Sequence, residues 1–267
     1  MTQLWALHRT GSLSLMFAGM ASLLAVALAR AEAPASPRVA IASVVELFTS
    51  QGCPKCPPAD ALLKTYADRP GVLAVTYHVD YWDYLGWRDT FASAFFTERQ
   101  RGYAAIQGDG MIYTPQVVIN GRAHTTGSKA PKIDAAITAT TRAFADARIS
   151  VDLVHRSKMI VVKVGARTAT AAPQPDTAKG VDMATVWLLA IQKSATVKIG
   201  HGDNSGRTAV YTNVVRRMVP VGSWTGATLE VKLDSDAVKI PGVDACAILV
   251  QSGVTGPLLG ATPIIDL

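Results

Sequence analysis

Cys53 and Cys56 are the residues of this chain whose types and spacing are best suited to chemistry. The pair follows an apolar stretch with strand character and precedes a helix-like stretch, so it lies at the predicted start of a helix. Free backbone amides and the positive end of the helix dipole stabilise a thiolate there, and the cation of Lys55 tunes the pair in the same direction. We therefore predict that Cys53 is the attacking thiolate and that Cys56 resolves the mixed disulfide.

Two other interpretations of the pair stay open. A binding module would hold copper(I) or another soft metal through the two thiolates and His78, because sulfur ligands suit copper(I) and zinc. However, one Cys-x-x-Cys pair supplies only two ligands, and the sequence has no second pair. Alternatively, the pair is a permanent structural disulfide in a binding protein. Exchange chemistry needs no metal or organic cofactor, only a protein or small molecule whose disulfide or dithiol resets the pair.

Hydrophobic patterning predicts an α/β order in the first half of the chain. Short apolar runs with strand character alternate with stretches whose apolar residues recur at helical spacing. The predicted elements lie at 39–48 (strand), 59–66 (helix), 72–79 (strand), 91–103 (helix), 116–119 (strand) and 133–144 (helix). The third strand ends in Asn120-Gly121, a dipeptide typical of tight hairpin turns. We therefore predict an α/β domain over 38–147.

After Arg148 the pattern changes to alternating strands. Six or more runs of period two, separated by turn residues, are typical of a β-sandwich or barrel. The proline-containing stretch 168–180 fits a loop inside such a domain. We therefore predict an all-β, sandwich-like domain over 148–267, without internal repeats.

Together these features resemble a known fold. The order strand, Cys-x-x-Cys, helix, strand, helix, Thr-Pro, hairpin and helix is similar to a thioredoxin-like domain. Nearly all of the chain that follows residue 31 resembles an exported thioredoxin-like family catalogued as domain of unknown function 1223. The resemblance implies a thioredoxin-like N-terminal domain followed by an all-β domain, whereas that family has no settled activity. The segments that carry it are 45–53, 56–60, 78–83, 113–116 and 204–207.

The thioredoxin resemblance also implies roles for three further residues. In that fold a cis proline opens the strand that faces the cysteines, and the residue before it binds an extended substrate. This assigns Thr114 and Pro115 to substrate binding, whereas on spacing alone the dipeptide would be an ordinary entry into a strand. A buried acid on the first strand relays protons to the resolving cysteine, which makes Glu46 a candidate general base for Cys56. The alternative for Glu46 is a carboxylate at a strand end or one paired with a neighbouring base.

An aromatic-rich segment follows the second predicted strand. Trp82, Tyr84 and Trp87, with Asp83, form a candidate rim for binding a substrate peptide, although aromatic residues at this density commonly pack a loop down. His78 ends the preceding strand, where a ligand, a proton donor or a structural histidine would all fit.

Two features of the second half have simple structural interpretations. The segment 201–207 contains His, Asp and Asn, which fits a cation site or, equally, a long turn between strands. Cys246 lies in an apolar strand, where a small buried hydrophobe is the expected role. The sequence has no nucleotide-binding loop, hydrolase nucleophile elbow or zinc-binding helix motif.

The first 31 residues have the pattern of an export signal. Arg9 precedes an uncharged, largely apolar stretch over 12–29, and Ala29-Arg30-Ala31 is a small-x-small cleavage site. An uncleaved anchor is the alternative, since about 20 uncharged residues are long enough to span a bilayer. We expect cleavage after Ala31 and a periplasmic or secreted protein in an oxidising compartment.

Composition limits the classes of function. Of the 267 residues, 49% are hydrophobic and 17% are charged, which excludes a disordered chain. The formal charge of +6 comes from residues spread through the sequence, so no nucleic-acid partner is expected. In the absence of a heptad pattern or a long apolar edge, we expect a monomer.

Overall fold

A mixed sheet of nine strands organises the fold in the computed structural model, which describes residues 40–167 and 183–267. A smaller sheet of three strands, three α-helices and two short 3-10 helices complete the described part of the chain. The strands are β1 (Ser43–Thr49), β2 (Val72–His78), β3 (Gln116–Ile119), β4 (Ala123–Thr126), β5 (Val151–Arg156), β6 (Met159–Val164), β7 (Ala184–Lys198), β8 (Thr208–Trp224), β9 (Leu229–Asp234), β10 (Ala245–Ser252), β11 (Leu258–Ala261) and β12 (Ile265–Asp266). The helices are α1 (Pro57–Ala67), α2 (Ala94–Gln107) and α3 (Ala130–Ala147), with 3-10 turns at Asp83–Leu85 and Ser235–Val238.

The first half of the chain has the predicted mixture of strands and helices. β1 and β2 pair in parallel and are connected along the chain through α1. β3 pairs antiparallel with the other edge of β1. β3 and β4 form a hairpin whose turn places Asn120 and Gly121 at φ values of 53° and 64°. These are the left-handed conformations that tight hairpin turns require, and Asn and Gly adopt them readily.

The large sheet continues across the predicted domain boundary at residue 148. Its order is β11-β10-β7-β8-β2-β1-β3-β4, with β12 paired to β10. β2 meets β8 in parallel at Thr76 and Val214, and the Thr76 hydroxyl donates a hydrogen bond to the Thr212 carbonyl (2.7 Å). The strands of both halves therefore share one sheet, and the described residues form one compact unit.

In the second half of the chain, the small sheet and the large sheet share a buried core. The small sheet, in the order β5-β6-β9, packs its apolar face against the large sheet. Ile160 and Val162 of β6 meet Val186 and Leu188 of β7 and Ile248 of β10 in one buried cluster. The division into domains over 38–147 and 148–267 stays a prediction.

Strand alternation in β1 decides which side chains face the functional site. Val45 and Leu47 point to the face covered by α1, whereas Val44 and Phe48 point to the opposite face, covered by α2. Because side chains alternate along a strand, Glu46 shares the α2 face with Val44 and Phe48.

The predicted export signal over 1–31 and the predicted loop over 168–180 lie outside the described residues. Among the residues that are described, no helix is both long and apolar enough to cross a membrane.

Candidate redox site

Cys53 and Cys56 form a disulfide in the turn between β1 and α1, with their Cα atoms 5.4 Å apart. Both residues are fully buried (0% exposed), whereas Lys55 between them is exposed. The helix begins at Pro57, so Cys53 lies before its first turn; Cys56 is the N-cap, and prolines fill the first two helical positions. Prolines fit there because those amides have no intrahelical partner. They also remove two of the free N–H groups that we expected to stabilise a thiolate.

The backbone before the disulfide is held from two sides. On one side, Asn204 donates from Nδ2 to the carbonyl oxygens of Gln51 (2.9 Å) and Cys53 (2.8 Å). On the other, Asp89 Oδ2 accepts a hydrogen bond from the Gln51 amide (2.7 Å). The Gln51 side chain adds a third contact, since its Oε1 accepts from Trp87 Nε1 (2.8 Å). The turn that carries Cys53 is therefore positioned by segments remote from it in sequence.

Trp82 links the disulfide turn to the start of β3. A Cβ atom at Gly52 would lie 3.2 Å from the Trp82 Cβ, so glycine allows the close approach of the two segments. The indole Nε1 of Trp82 donates to Thr114 Oγ1 (2.8 Å), and the Thr114–Pro115 peptide bond is cis. The structure thus brings Trp82 and Thr114 together beside the turn that carries Cys53.

Asp60 is a buried acid on the α1 face of the sheet, whereas Glu46 is a buried acid on the opposite face. Asp60 follows Cys56 by one helical turn, and its amide donates to the Cys56 carbonyl (3.1 Å). Helical side chains lean towards the N-terminus of their helix, which for Asp60 is the end at Cys56. Thr49 donates from Oγ1 to Asp60 Oδ1 (2.6 Å). Burial raises the pKa of Asp60 to about 7, against the lowering effects of the Thr49 hydrogen bond and His78.

Glu46 lies on the opposite face of the sheet in a buried ion pair. Its Oε1 accepts from Arg99 Nη2 (2.8 Å) and Nε (3.0 Å), and its Oε2 accepts from the Tyr103 hydroxyl (2.5 Å). Because side chains alternate along β1, Glu46 faces away from α1, towards Arg99 and Tyr103. The alternative interpretation, a carboxylate paired with a neighbouring base, describes this geometry.

His78 is part of the support beneath the turn. Its Nδ1 lies 2.7 Å from Asp89 Oδ2, and both side chains are buried. Burial raises the pKa of Asp89, but the His78 charge, its hydrogen bond and the amides of Gln51 and Phe91 outweigh this, so the net pKa is lowered. The His78 ring also packs edge-on against Phe91 and Tyr211. Within residues 40–167 and 183–267, no cluster of three or more His, Cys, Asp or Glu side chains could hold a metal ion.

The aromatic segment is mostly packed rather than open. Trp82 is hydrogen-bonded to Thr114, and Trp87 is hydrogen-bonded to Gln51. The Asp83 carboxylate accepts a hydrogen bond from the Asp89 amide (3.0 Å). Tyr84 is 80% exposed. Most of the candidate rim therefore anchors the loop, and Tyr84 is its freely presented ring.

A cavity of about 570 Å³ opens beside the disulfide turn, between α1 and β8. Its size falls in the range of small-molecule sites. Asp60 and Tyr211 contribute polar groups to the wall, and Lys64 and Arg207 contribute cations. Burial raises the pKa of Tyr211 above its usual range, so its hydroxyl stays neutral. The remaining lining residues are Ser50, Pro57, Ala61, Ile199, Asn204, Thr208, Ala209, Val210 and Thr212.

The remaining candidates have structural roles. The 201–207 segment is a turn between β7 and β8, and its Asn204 side chain points inward to the disulfide turn. Cys246 is buried in β10 without a disulfide partner, and burial raises the pKa of its thiol to about 12. A thiol with this pKa stays protonated and poorly reactive at neutral pH.

A comparison with known protein families identifies the family of this chain. Residues 44–251 match the family model described as "Protein of unknown function (DUF1223)", which covers most of the chain. The chain belongs to the DUF1223 family. This confirms the resemblance to the DUF1223 family that the sequence segments around Cys53, His78, Thr114 and Asn204 indicate.

Two solved structures are similar to this DUF1223 protein. An X-ray crystal structure of an Agrobacterium tumefaciens protein shares 32% identity and has a TM-score of 0.69, covering 85% of this chain and 94% of that one. HBP35 of Porphyromonas gingivalis shares 14% identity with a TM-score of 0.51, covering 85% of this chain and 76% of that one, which shows likeness of fold alone. No curated protein matches the chain.

Three residues of the site are missing from the prediction made from sequence: Asp60, Asp89 and Asn204. The signal for Asp60 is its position four residues after Cys56, which places both on one helix face. Asn204 lies in one of the segments that carry the family resemblance. No local pattern indicates Asp89, because its role depends on a contact across 38 residues with Gln51.

Proposed function

We propose that this DUF1223 protein is a thiol–disulfide oxidoreductase that acts through Cys53 and Cys56. The observation that carries the proposal is the Cys53–Cys56 disulfide with a buried acid, Asp60, one helical turn beyond it. A structural disulfide needs no proton acceptor. Exchange does, because the second thiol must lose its proton before it attacks.

The reaction is a two-electron exchange. In the reduced protein, the Cys53 thiolate attacks one sulfur of a substrate disulfide, whose S–S bond breaks and whose other sulfur leaves as a thiolate and takes up a proton. Cys56 then gives its proton to Asp60 and attacks the Cys53 sulfur. The mixed disulfide breaks, and the second substrate sulfur leaves as a thiolate and is protonated. The protein dithiol has become the disulfide, and the substrate has gained two electrons and two protons.

Asp60 supports this role through its environment. A carboxyl with a pKa of about 7 is close to the ideal value for accepting and returning protons at neutral pH. It lines the cavity beside the turn, which gives the carboxyl a route to solvent. We assign to Asp60 the proton-accepting role that was predicted for Glu46.

The proposed partner is a protein or small molecule that carries a disulfide or dithiol. Thr114 and Pro115 at the start of β3, with Trp82 beside them, form the proposed docking edge for an extended segment. Lys55 is exposed between the cysteines, where its charge attracts an approaching thiolate. Export to the periplasm or the exterior is part of the proposal, since stable protein disulfides belong to oxidising compartments.

The test is an exchange reaction between the reduced protein and glutathione disulfide. Cys56→Ser should accumulate one glutathione per chain by intact mass, because attack by Cys53 survives and resolution fails. Cys53→Ser should accumulate none, and the matched control Cys246→Ser should turn over like the parent protein. Absence of a trapped adduct in a folded Cys56→Ser protein would refute the proposal.

A second candidate function has one observation in its favour. Both cysteines are fully buried, which suits a permanent structural disulfide in a binding protein. In that case the pair would stay oxidised under all but strongly reducing conditions, since structural disulfides lie below roughly −300 mV.

A further inference from the structure

We propose that Asn204 is a positioning residue of the redox site, which stabilises the disulfide form relative to the dithiol. The inference rests on the proposed function and deepens it, because it assigns the control of the redox equilibrium to the second half of the chain. Asn204 acts through the backbone that carries Cys53, because its side-chain amide donates to the Cys53 carbonyl oxygen.

The contacts of Asn204 converge on the disulfide turn. The residue is 2% exposed, and its Nδ2 donates to the carbonyl oxygens of both Gln51 and Cys53. Buried carbonyl groups that lose such a donor are costly to leave unpaired. The Asn204 amide therefore fixes the carbonyl groups of the two residues that flank Gly52.

The turn that carries Asn204 has several hydrogen bonds of its own. It closes the long β7–β8 hairpin and is held by backbone hydrogen bonds across its base. The bonds run from Ser205 N to Gly202 O (3.0 Å), from Gly206 N to Ile199 O (2.9 Å) and from Ile199 N to Arg207 O (2.9 Å). A donor on such a turn favours one placement of the Cys53 carbonyl over others.

The sign of the effect follows from chain entropy. The disulfide restricts residues 53–56, so the Cys53 carbonyl is already oriented when Asn204 binds it. Reduction removes the cross-link, and Asn204 must then order a freer segment at a greater entropic cost. The hydrogen bond to the Cys53 carbonyl is therefore stronger in the oxidised protein. By reciprocity, it favours the disulfide and lowers its reduction potential.

The experiment compares redox equilibria in glutathione or dithiothreitol buffers, with acid quenching, alkylation and intact mass. Asn204→Ala should shift the equilibrium about tenfold towards the dithiol, which is a potential about 30 mV higher. Asn204→Asp should shift it further, because a carboxylate would face two carbonyl oxygens and offer no donor. The matched control is Ser205→Ala, which removes only a bond to Gly200 in the same exposed turn and should leave the potential unchanged.

An unchanged or lowered potential in Asn204→Ala, with circular dichroism showing a native fold, would overturn the inference. If both Asn204 variants fail to fold, hydrogen exchange of the parent protein decides: the 199–207 and 50–53 amides should exchange faster after reduction, and equal protection in both forms would refute the role. Failure of the proposed function would be distinguishable from failure of this inference. In that case the parent protein itself would show no thiol–disulfide exchange, whatever the ratio between the redox equilibria of variant and parent.

Discussion

Asn204 Nδ2 lies 2.8 Å from the carbonyl oxygen of Cys53 and donates a hydrogen bond to it, although 151 residues separate the two along the chain. Cys53 follows the first strand, whereas Asn204 lies on the turn between two long strands of the second half. The pairing of β2 with β8 places these strands in one sheet. A fragment that ended at residue 147 would therefore lack one wall of the candidate site.

Asp60→Asn should slow exchange about 100-fold at pH 7, because the amide cannot accept the Cys56 proton and general-base contributions are typically of this size. The parent rate should rise with an apparent pKa of about 7, and this rise should be lost in the variant. Stopped-flow resolution of a preformed mixed disulfide measures the step. Equal rates for both proteins across pH 6 to 8 would exclude Asp60 as the proton acceptor.

Asp60 should also make stability depend on pH. Burial raises its pKa from the usual 3.8 to about 7, so between these values the native state binds a proton that the unfolded chain releases. The stabilisation is complete below about pH 4 and is lost as the pH rises towards 7. In urea titrations, the free energy of unfolding of the parent protein should fall by a few kcal/mol over this pH range, at about 1.4 kcal/mol per pKa unit. Asp60→Asn should abolish this fall. The control Asp68→Asn, an exposed acid next to the same helix, should keep the parent dependence.

Glu46→Gln should reduce stability and leave the exchange rate of folded protein within about twofold. The change leaves the buried Arg99 charge without its carboxylate, which typically costs about 3–5 kcal/mol. Urea unfolding and exchange assays on the same samples separate the two effects. A double variant, Glu46→Gln with Arg99→Met, should recover part of the stability. A tenfold slower exchange in folded Glu46→Gln would return the base role to Glu46.

Thr114→Val should weaken substrate docking, because it removes the acceptor that holds the Trp82 indole beside Gly52. For a peptide disulfide we expect KM to rise about fivefold to tenfold while kcat changes little, since a lost hydrogen bond costs about 1 kcal/mol. Thr138→Val, on the exposed face of α3, is the matched control. A fall in kcat at constant KM would contradict the docking role.

Much of the fold around the cysteines could be predicted because it depends on local signals. Alternating and helical hydrophobic patterns indicate β1, α1 and β2, and Asn120-Gly121 marks the β3–β4 turn. These signals arise from side-chain periodicity and backbone preference, which a short segment carries by itself. The position of Cys53 and Cys56 between β1 and α1 follows from them.

The acid and the supporting contacts could not be predicted in the same way. Glu46 and Asp60 are both near the cysteines in sequence, and only the parity of β1 and the turn of α1 separate them in space. Asp89 and Asn204 reach the turn through contacts across 38 and 151 residues. Such contacts depend on how distant segments come together, for Asn204 on the pairing of β2 with β8, which periodicity alone does not determine.

The central claim is that Cys53 and Cys56 interconvert between dithiol and disulfide as a working couple. The most direct measurement is a redox titration of the purified protein in glutathione buffers, quenched with acid, alkylated and weighed to count free thiols. We predict that two alkylations appear together at a potential between roughly −120 and −270 mV, the range of known exchange proteins, and that both vanish in a Cys53→Ser/Cys56→Ser double variant. A pair that stays oxidised below roughly −300 mV would contradict the account and identify a structural disulfide.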